Sequence, residues 1–430
     1  MRDFLKWLLF VLAGVGLLVV VIVWVYAPLR TRRLAAKYAR FRAEYLPEHG
    51  AIDARFNQRD RVVNGIKWHY IDEGNPDGAV VLFLHGLPEG WYSWSKVLPL
   101  VDHHYRLIAL DMKGYGRSDR QDRDYNWHTV ASQTLELMTS LGIDKFYIVS
   151  HDWGTIIGSV LVSDHPSRIL GYVRMEADLI PKEKSGTIAG YMQKPQWLLF
   201  QSNWIGTYLM QDPGWFIDSV YGKRMLTPLH KADRDYLVYE FSLPGVAETV
   251  PKYFLRRNWD LDSAIANICR NTFPFPVLQL QADSDPAQPP SIFLDVGAQC
   301  PNVKLEWIRN ASHFDNFDQP VQVASGLQQL ASYLGQFALQ LGHVQLRIKY
   351  IQPAHRHLAA FHLHGQHRML AEKIHGHTFQ EDRLLRIVFP LQKRQSEILR
   401  EGSQYLTFIR NAQPFKSLGG RQVFNSHKVL

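Results

Sequence analysis

The chain has 430 residues, of which 46% are hydrophobic and 20% are charged, so wholesale disorder is excluded and a globular core is expected. Its formal charge of +8 is unevenly placed: residues 1–342 carry 34 basic and 35 acidic side chains, whereas residues 343–430 carry 14 and 5. The basic balance belongs to the last fifth of the chain, and we expect no nucleic-acid partner. Cys269 and Cys300 cannot form a disulfide framework, and we expect them to be unpaired, in agreement with a reducing compartment.

The chain begins with an apolar segment. Residues 7–29 are 23 positions without a charge, long enough to cross a bilayer as a tilted helix. Trp7, Trp24 and Tyr26 lie near its ends, where amphipathic rings favour the membrane interface. A cleavable signal peptide is the alternative, but its apolar region usually has about 7–15 residues. We therefore predict an uncleaved transmembrane signal-anchor over residues 1–29.

Basic side chains flank this segment, two before it and six in residues 30–42. The positive-inside rule then predicts a single-pass membrane protein with the rest of the chain on the cytoplasmic side. Residues 30–58 are interpreted as a basic juxtamembrane linker. Apolar side chains at positions 34, 38, 41 and 45 have helical spacing, which indicates either a helix on an anionic membrane surface or a solvated linker helix.

The middle of the chain alternates between predicted strands and helices. Helical periodicity covers residues 129–141 and 154–162. Apolar runs typical of buried strands cover residues 67–72, 80–84, 106–111, 146–150, 170–175 and 277–282. This alternation predicts a mostly parallel sheet covered on both faces. In such a sheet, functional groups gather at the carboxyl ends of the strands.

Three of these strand ends carry groups that suit catalysis. Asp152 stands at the centre of Ser-His-Asp-Trp-Gly (150–154), between a strand and a helix, which is the spacing of a nucleophile elbow with Asp in place of Ser. Asp285 follows the strand predicted at 277–282, and His313 follows another predicted at 304–308. Singly, they can be explained as a helix cap, a turn and a polar loop residue. Together and in this order, they match the α/β-hydrolase triad.

The surrounding motifs resemble a known family. Residues 84–94 (LHGLPEGWYSW) resemble the His-Gly-x-Pro signature of epoxide hydrolases and of the related haloalkane dehalogenases. Residues 111–119 resemble the next segment of that family, and residues 150–154 match its His-Asp-Trp-Gly elbow. The resemblance covers roughly residues 60–335. It implies an α/β-hydrolase fold, with a mostly parallel eight-stranded sheet flanked by helices, whose core is residues 59–180 and 264–341 and whose helical cap is residues 181–263.

The resemblance also implies a reaction. Asp152 would attack a carbon of an epoxide and form an alkyl ester, and His313, oriented by Asp285, would activate the water that hydrolyses this ester to a vicinal diol. By family position, the amides of Leu87 and Trp153 would form the oxyanion hole. This mechanism needs no cofactor and no metal. The expected substrate is a small lipophilic epoxide that reaches an apolar pocket beside the membrane.

Ring opening also needs a proton donor, which epoxide hydrolases supply from tyrosines of the cap. Tyr253 is the predicted donor and Tyr239 the reserve. No tyrosine stands at the first cap position of the family, and Tyr191 or Tyr208 could substitute. Residues 191–259 contain 14 aromatic side chains, a density that suits an apolar pocket or a lid core. The residues predicted to line the substrate pocket are His85, Pro88, Trp91, Trp153 and Tyr239.

Two other functions remain open for this part of the chain. A haloalkane dehalogenase would use the same Asp, His and acid without a proton donor, and Trp153 fits either activity. Leu87, however, lies where many dehalogenases carry Asn, and Pro88-Glu89 looks more like an epoxide hydrolase. The second alternative is an inactive binding protein of the same fold tethered to the membrane.

Residues 342–430 lie outside the resemblance. Nine of the 19 histidines fall in this basic tail, including a His-x-His at 355–357. A metal site or a contact with an anionic surface is conceivable there, but the composition favours a poorly ordered extension without a catalytic role. Nothing in the sequence indicates an oligomeric state.

Overall fold

A computed structural model of the chain describes residues 2–120, 124–178, 199–200, 202–254, 268–270, 273–300, 302–328, 347–351 and 358–362. Its centre is an eight-stranded sheet in the order β1-β2-β4-β3-β5-β6-β7-β8. The strands are β1 (Gln58–Val63), β2 (Ile66–Gly74), β3 (Val80–Leu84), β4 (Arg106–Leu110), β5 (Phe146–His151), β6 (Ile169–Met175), β7 (Val277–Ala282) and β8 (Val303–Ile308). The strands β1 and β2 run antiparallel to their neighbours, and the others are parallel. The predicted mostly parallel, eight-stranded sheet is confirmed.

The hydrophobic runs explain the central strands. Every residue of β3, β5 and β7 is buried, because parallel strands in the middle of a sheet are covered on both faces. In contrast, β1 has the sequence QRDRVV and is largely exposed. A polar edge strand of this kind has no apolar run, which is why the sequence analysis did not predict it.

The register of the parallel strands brings their carboxyl ends to one edge of the sheet. Leu84 of β3 pairs with Ser150 of β5, and Ala282 of β7 pairs with Ile308 of β8. The loops that follow these strands therefore start side by side. Asp152, Asp285 and His313 all lie in these loops, so the fold gathers the three predicted catalytic residues at this edge.

Helices cover both faces of the sheet and extend beyond it. They are α1 (Arg2–Val21), α2 (Ala27–Asp53), α3 (Trp127–Ser140), α4 (Trp153–Asp164), α5 (Asn203–Met210), α6 (Pro213–Tyr221), α7 (Lys231–Phe241), α8 (Val246–Thr249), α9 (Val296–Gln299) and α10 (Asp315–Asp318). The side chain of Asn126 caps α3 by accepting from the amide of His128. The helix α4 begins at Asp152, whose carboxylate makes no such cap bond and is thus left for other partners.

The helix α2 packs against the cap. Its Tyr38 and Tyr45 are buried, and the Tyr38 hydroxyl accepts from the amide of Gly214 at 2.8 Å. Further along α2, His49 Nε2 lies 2.8 Å from Glu240 Oε1 of α7. The sequence predicted that the apolar face of this linker helix would lie on a membrane surface or in solvent. Both interpretations are wrong on this point, because the face packs against protein. The segment is a helix that follows the N-terminal helix and packs against the cap.

The N-terminal segment is helical, as predicted, with α1 followed by a π-helical turn at Ile22–Tyr26. No helix in the described part of the chain combines the length and the apolar character that crossing a bilayer requires. The predicted transmembrane anchor is not confirmed.

The two cysteines are paired. Cys269 and Cys300 form a disulfide, so the prediction that they are unpaired is wrong, and their use as support for a reducing compartment is withdrawn. Sequence spacing could not reveal this, because the chain around Cys269 meets the chain around Cys300 only in the folded core.

In the basic tail, β9 (Arg347–Ile351) and β10 (Leu358–His362) pair as an antiparallel hairpin. The other tail residues, the histidines at 355 and 357 among them, lie outside the described part of the chain. The predicted cap is described at residues 199–200 and 202–254, while Tyr191 lies outside the described residues.

Candidate active site

Asp152 sits on a sharp turn between β5 and α4. Its φ is +46°, a left-handed conformation that is uncommon for a residue with a side chain and is held here by close packing. A Cβ at Gly154 would lie 2.4 Å from the carbonyl oxygen of Leu84, so only glycine fits beneath the turn. This is the geometry of a nucleophile elbow, which presents the central side chain at the edge of the sheet.

The carboxylate of Asp152 has two polar contacts. The amide of Leu87 donates to Oδ1 at 3.0 Å, and His313 Nε2 lies 3.3 Å from Oδ2. The Asp152 side chain is 19% exposed, whereas that of His313 is 5% exposed. The carboxylate can therefore be reached by a small molecule, while the imidazole behind it is shielded from bulk water.

His313 is oriented by Asp285, as predicted. His313 Nδ1 donates to Asp285 Oδ2 at 2.8 Å, and Asp285 Oδ1 accepts from the amide of Ala287 at 2.6 Å. Burial alone would lower the pKa of His313, but the charge of Asp285 and the hydrogen bonds that the imidazole donates to Asp152 and Asp285 outweigh it and raise the pKa to about 10. The resting site is thus an imidazolium between two carboxylates.

The charge state of Asp152 follows from the same contacts. Burial opposes its ionisation, yet the hydrogen bond and charge of His313 lower the pKa of Asp152. An ionised carboxylate is the form that can act as a nucleophile. When Asp152 is converted into an ester, its negative charge disappears, and the pKa of His313 must then fall. His313 thereby becomes a base only after the first step.

A second buried pair lies beneath the triad. Glu89 Oε2 contacts His151 Nδ1 at 3.0 Å and accepts from the amide of Gly86 at 2.6 Å, and His151 Nε2 donates to the carbonyl of His313 at 2.7 Å. Despite burial, the charge of Glu89 raises the pKa of His151 to about 9. This pair ties the loop after β3 to the loop that carries His313. Both residues lie within the motifs at 84–94 and 150–154, but no local sequence pattern indicates that they pair.

The site also contains a group with metal-ligand chemistry. Within the described part of the chain, ligand atoms of Glu176, Asp285 and His313 lie within 4.8 Å of one another. A cation bound there would replace the proton in the hydrogen bond between His313 and Asp285. The arrangement therefore suits that hydrogen bond better than a metal ion.

The chain matches the family model of the alpha/beta hydrolase fold over residues 79–320, more than half of its length. The chain belongs to the α/β-hydrolase family. It is 31% identical to epoxide hydrolase 2 of Caenorhabditis elegans over 313 residues, which cover 66% of this chain and 84% of the relative. It is 26% identical to epoxide hydrolase 3 of Mus musculus over 227 residues, 50% of this chain and 62% of that protein.

Solved structures agree with this fold. The epoxide hydrolase CorEH superimposes with a TM-score of 0.56 at 22% identity, covering 64% of this chain and 99% of that structure. A haloalkane dehalogenase of Bradyrhizobium elkani has the same TM-score and identity, with 66% and 99% covered. At this identity the similarity shows the fold and does not distinguish the two activities.

Several predicted site residues of this hydrolase lie next to the triad. Leu87 provides the amide described above, and the peptide bond between Leu87 and Pro88 is cis. Trp153 is buried, and its ring packs against Phe254 with centroids 4.2 Å apart. His85 is fully buried and accepts from the amide of Met112 at 2.9 Å. His85 therefore supports the loop after β3 and does not face a substrate in this structure.

Other residues predicted for the site have their contacts away from Asp152. Trp91 is fully buried against Phe56, and the ring of Tyr239 stacks on His49 of α2 at 3.8 Å. Tyr208 lies under the guanidinium of Arg30. The structure brings none of these three side chains to Asp152. The assignments of Trp91 and Tyr239 to the substrate pocket and of Tyr208 as a substitute for the first cap tyrosine stay predictions.

Tyr253, the predicted proton donor, has a different partner. Its hydroxyl donates to the carbonyl of Lys113 at 2.6 Å, and its side chain is 1% exposed. A phenol has a single proton to donate, so in this arrangement Tyr253 cannot donate to a second acceptor.

The charge of the nucleophile Asp152 acts on two tyrosines that had no predicted role. Burial raises the pKa of Tyr115 and of Tyr221 well above the usual range, and the charges of Asp152 and Glu89 add to this effect at both residues. The Tyr115 hydroxyl is buried and has no hydrogen-bond partner among the described residues. Tyr115 falls within the quoted motif at 111–119, which was the only signal for it in the sequence.

Proposed function

We propose that this hydrolase converts epoxides into vicinal diols through an alkyl ester on Asp152. The observation that supports this most directly is an aspartate, rather than a serine, at the elbow and in contact with both Leu87 and His313. A carboxylate attacks a strained carbon in a displacement reaction, whereas serine is suited to carbonyl carbons. The epoxide hydrolases among the relatives agree with this choice.

In the first step, Asp152 Oδ2 forms a bond to a ring carbon, and the bond from that carbon to the epoxide oxygen breaks. The released oxygen takes a proton from an acid. Asp152 Oδ1 becomes the ester carbonyl oxygen and keeps the hydrogen bond from the amide of Leu87. The charged resting form of His313 holds Asp152 ionised until this bond forms.

Once Asp152 is an ester and the pKa of His313 has fallen, the proton of His313 replaces the one that the acid of the first step gave up. In the second step, neutral His313 takes a proton from water, and the hydroxide adds to the carbonyl carbon of Asp152. The amide of Leu87 lies 3.0 Å from the oxygen on which negative charge then develops. We assign the second oxyanion donor to the amide of Trp153, at the start of α4. Collapse of the intermediate releases the diol as the departing oxygen takes the proton from His313, and the carboxyl group left on Asp152 passes its proton to His313, which restores the resting ion pair.

The acid of the first step is assigned to Tyr115. Its buried hydroxyl lacks a partner among the described residues and lies in the field of Asp152, whereas the Tyr253 hydroxyl is engaged with Lys113. Since an alkoxide is a poor leaving group at neutral pH, a buried phenol without a hydrogen-bond partner among the described residues suits this role.

The test is intact-protein mass of the His313→Gln variant after exposure to a panel of epoxides and haloalkanes. Without its base, the enzyme should stall as the Asp152 ester, with an adduct equal in mass to the whole epoxide. The control Asp152→Asn should show no adduct. An adduct from haloalkanes alone would assign a dehalogenase, and a folded protein without any adduct would contradict both activities.

The apolar run of residues 7–29 supports a further part of the proposal, a membrane anchor that gives the enzyme access to lipophilic epoxides. Because α2 connects this run to the cap, an anchor would hold the cap close to the membrane. Retention of the chain in membranes washed with alkaline carbonate is expected. Release by that wash, or equal turnover of polar and lipophilic epoxides, would contradict this part.

A further inference from the structure

Glu176 is a buried acid next to the triad. It is the first residue after β6, its φ is +49°, and its side chain is fully buried. The amide of Ala282 donates to Glu176 Oε1, and the side chain of Gln281 donates to Oε2 at 2.6 Å. These two bonds from β7 aim the carboxyl at the loop that contains Asp285.

Three buried carboxyl groups meet at this point. Carboxylate oxygens of Glu176 and Asp285 lie within 4.8 Å of each other, and Asp315, two residues beyond His313, is close enough for its charge to act on Glu176. Neither oxygen of Asp315 accepts from any N–H or O–H donor in the described part of the chain. Ionised carboxylates can only accept, so a hydrogen bond between two carboxyl groups requires a proton on one of them.

The remaining contacts indicate which group carries the proton. Asp285 already accepts from His313 Nδ1 and from the amide of Ala287. Burial opposes ionisation of Asp285, but the charge of His313 and hydrogen bonds from His313 and Glu176 lower its pKa. At Glu176, burial and the charges of Asp315 and Asp285 raise the pKa well above the usual range. Two carboxyl groups this close cannot both be ionised without a large cost, and Asp285 is the one that accepts a hydrogen bond directly from His313.

We propose that Glu176 is a positioning residue that keeps a proton at neutral pH and donates it in a hydrogen bond to Asp285, which holds Asp285 ionised and aimed at His313. This inference rests on the proposed function, because its effect is on the hydrolysis of the Asp152 ester. The titratable groups that face Glu176 are Asp285 from the loop after β7, and Asp315 and His313 from the loop after β8.

The protonation state matters for the base. An ionised Glu176 would add a further negative charge near His313 and raise its pKa. His313 would then remain an imidazolium in the ester intermediate and could not accept a proton from water. A neutral Glu176 supplies the hydrogen bond to Asp285 without this charge.

The test compares Glu176→Gln with Glu176→Ala in the full chain, using the decay of the Asp152 ester after rapid mixing with limiting epoxide. Glutamine keeps an acceptor for the amide of Ala282 and a donor for Asp285, and the Gln281 amide can rotate to accept from it. We expect decay close to that of the native enzyme for Gln and about 10- to 100-fold slower decay for Ala, the usual cost of removing a partner that orients a working histidine. Equal decay in Ala and native enzyme would overturn the proposal.

The pH profile of ester decay adds a readout that a merely structural role would not move. The acidic limb of this profile reports the protonation of His313. If Glu176 is neutral, Glu176→Gln does not move this limb from its position in the native enzyme. If Glu176 is ionised, the variant removes a negative charge, the pKa of His313 falls, and the limb moves to lower pH. That shift would overturn the proposal even if Glu176→Ala does not fold.

An infrared difference spectrum separates this inference from the proposed reaction. The native protein minus Glu176→Gln should show the C=O band of a protonated carboxyl without any substrate present. The exposed Glu248→Gln variant is the matched control and should show no such band. Absence of the band overturns the inference. Absence of any ester in the His313→Gln variant, with the band present, would instead overturn the epoxide hydrolase proposal.

Discussion

The catalytic edge of the sheet and the interface between α2 and the cap are built in different ways. At the catalytic edge, Asp152, Asp285 and His313 follow β5, β7 and β8, whose carboxyl ends the sheet places at the same edge. At the α2–cap interface, partners such as His49 and Glu240 are 191 residues apart and meet through helix packing. The catalytic edge follows from the alternation of strands and helices along the chain. The α2–cap interface depends on how helices that are distant in the sequence pack against each other.

The two regions also differ in what their charges do. Carboxylates at the catalytic edge surround His313, and each proton there changes the chemistry of its neighbour. At the α2–cap interface, the Tyr236 hydroxyl donates to Asp53 at 2.6 Å, and Asp53 also pairs with Arg117 of the core at 3.0 Å. These bonds hold elements together. Changes in the first region should therefore alter rates, and changes in the second should alter stability.

The largest effect should come from Asp285→Asn. The variant keeps the shape of the side chain but removes the charge that holds His313 in its working orientation. We expect ester hydrolysis to slow by about 10³- to 10⁴-fold, as in other triads that lose this charge. The ester on Asp152 should accumulate in single-turnover mass measurements. A native rate of hydrolysis would show that Asp285 is not the acid of the triad.

A smaller effect is expected from the phenols. Tyr115→Phe should slow ester formation by about 100-fold, the lower range for loss of a general acid. Tyr253→Phe should form the ester at the native rate and lose about 1 kcal/mol of stability with its bond to Lys113. The measurement is rapid-quench mass of the ester. The opposite ranking of the two variants would restore Tyr253 as the donor.

The pH dependence of stability should separate the regions further. Because the folded state raises the pKa of His313 to about 10 from a usual 6.5, its ion pairs stabilise the fold fully below pH 6.5. That contribution is lost as the pH rises towards 10. Urea unfolding should therefore show a gap between the native protein and His313→Gln that narrows from pH 6.5 upwards. A gap that stays constant above pH 6.5 would mean that folding does not raise the pKa of His313.

The smallest effect on activity should come from Tyr38→Phe in α2. Without the hydroxyl, the buried amide of Gly214 loses its acceptor and Asp212 loses a donor, which should cost about 1–3 kcal/mol in urea unfolding. The exposed Tyr26→Phe variant is the control and should cost nothing measurable. Ester formation and hydrolysis should stay at native rates. A loss of activity without a loss of stability would show that the α2–cap contact takes part in the reaction.

The sequence was a good guide to the interior of the sheet and a poor guide to its polar surroundings. The strands β2 to β8 lie within about two residues of the predicted runs, whereas the polar edge strand β1 was missed. Asp152, Asp285 and His313 were predictable because each follows a buried strand. Glu89 and Glu176 were not, because an acid near a loop in sequence is usually solvated, and only packing reveals that it is buried.

The cap shows the same limit. Its aromatic content predicted an apolar layer, but Tyr239 and Tyr208 pack against α2 and Tyr253 bonds to the core. The partner of an aromatic side chain depends on helix orientation, which no local pattern records.

By itself, the sequence determined the parallel sheet, the elbow and the order of the triad, because strand periodicity and the residues at strand ends are local properties. Tertiary structure alone decided the pairing of Cys269 with Cys300, the packing of α2 on the cap, and the burial of Glu176 against Asp285. These features join residues that are distant in the chain. Their energies depend on dielectric surroundings and on partners, and both exist only once the chain has folded.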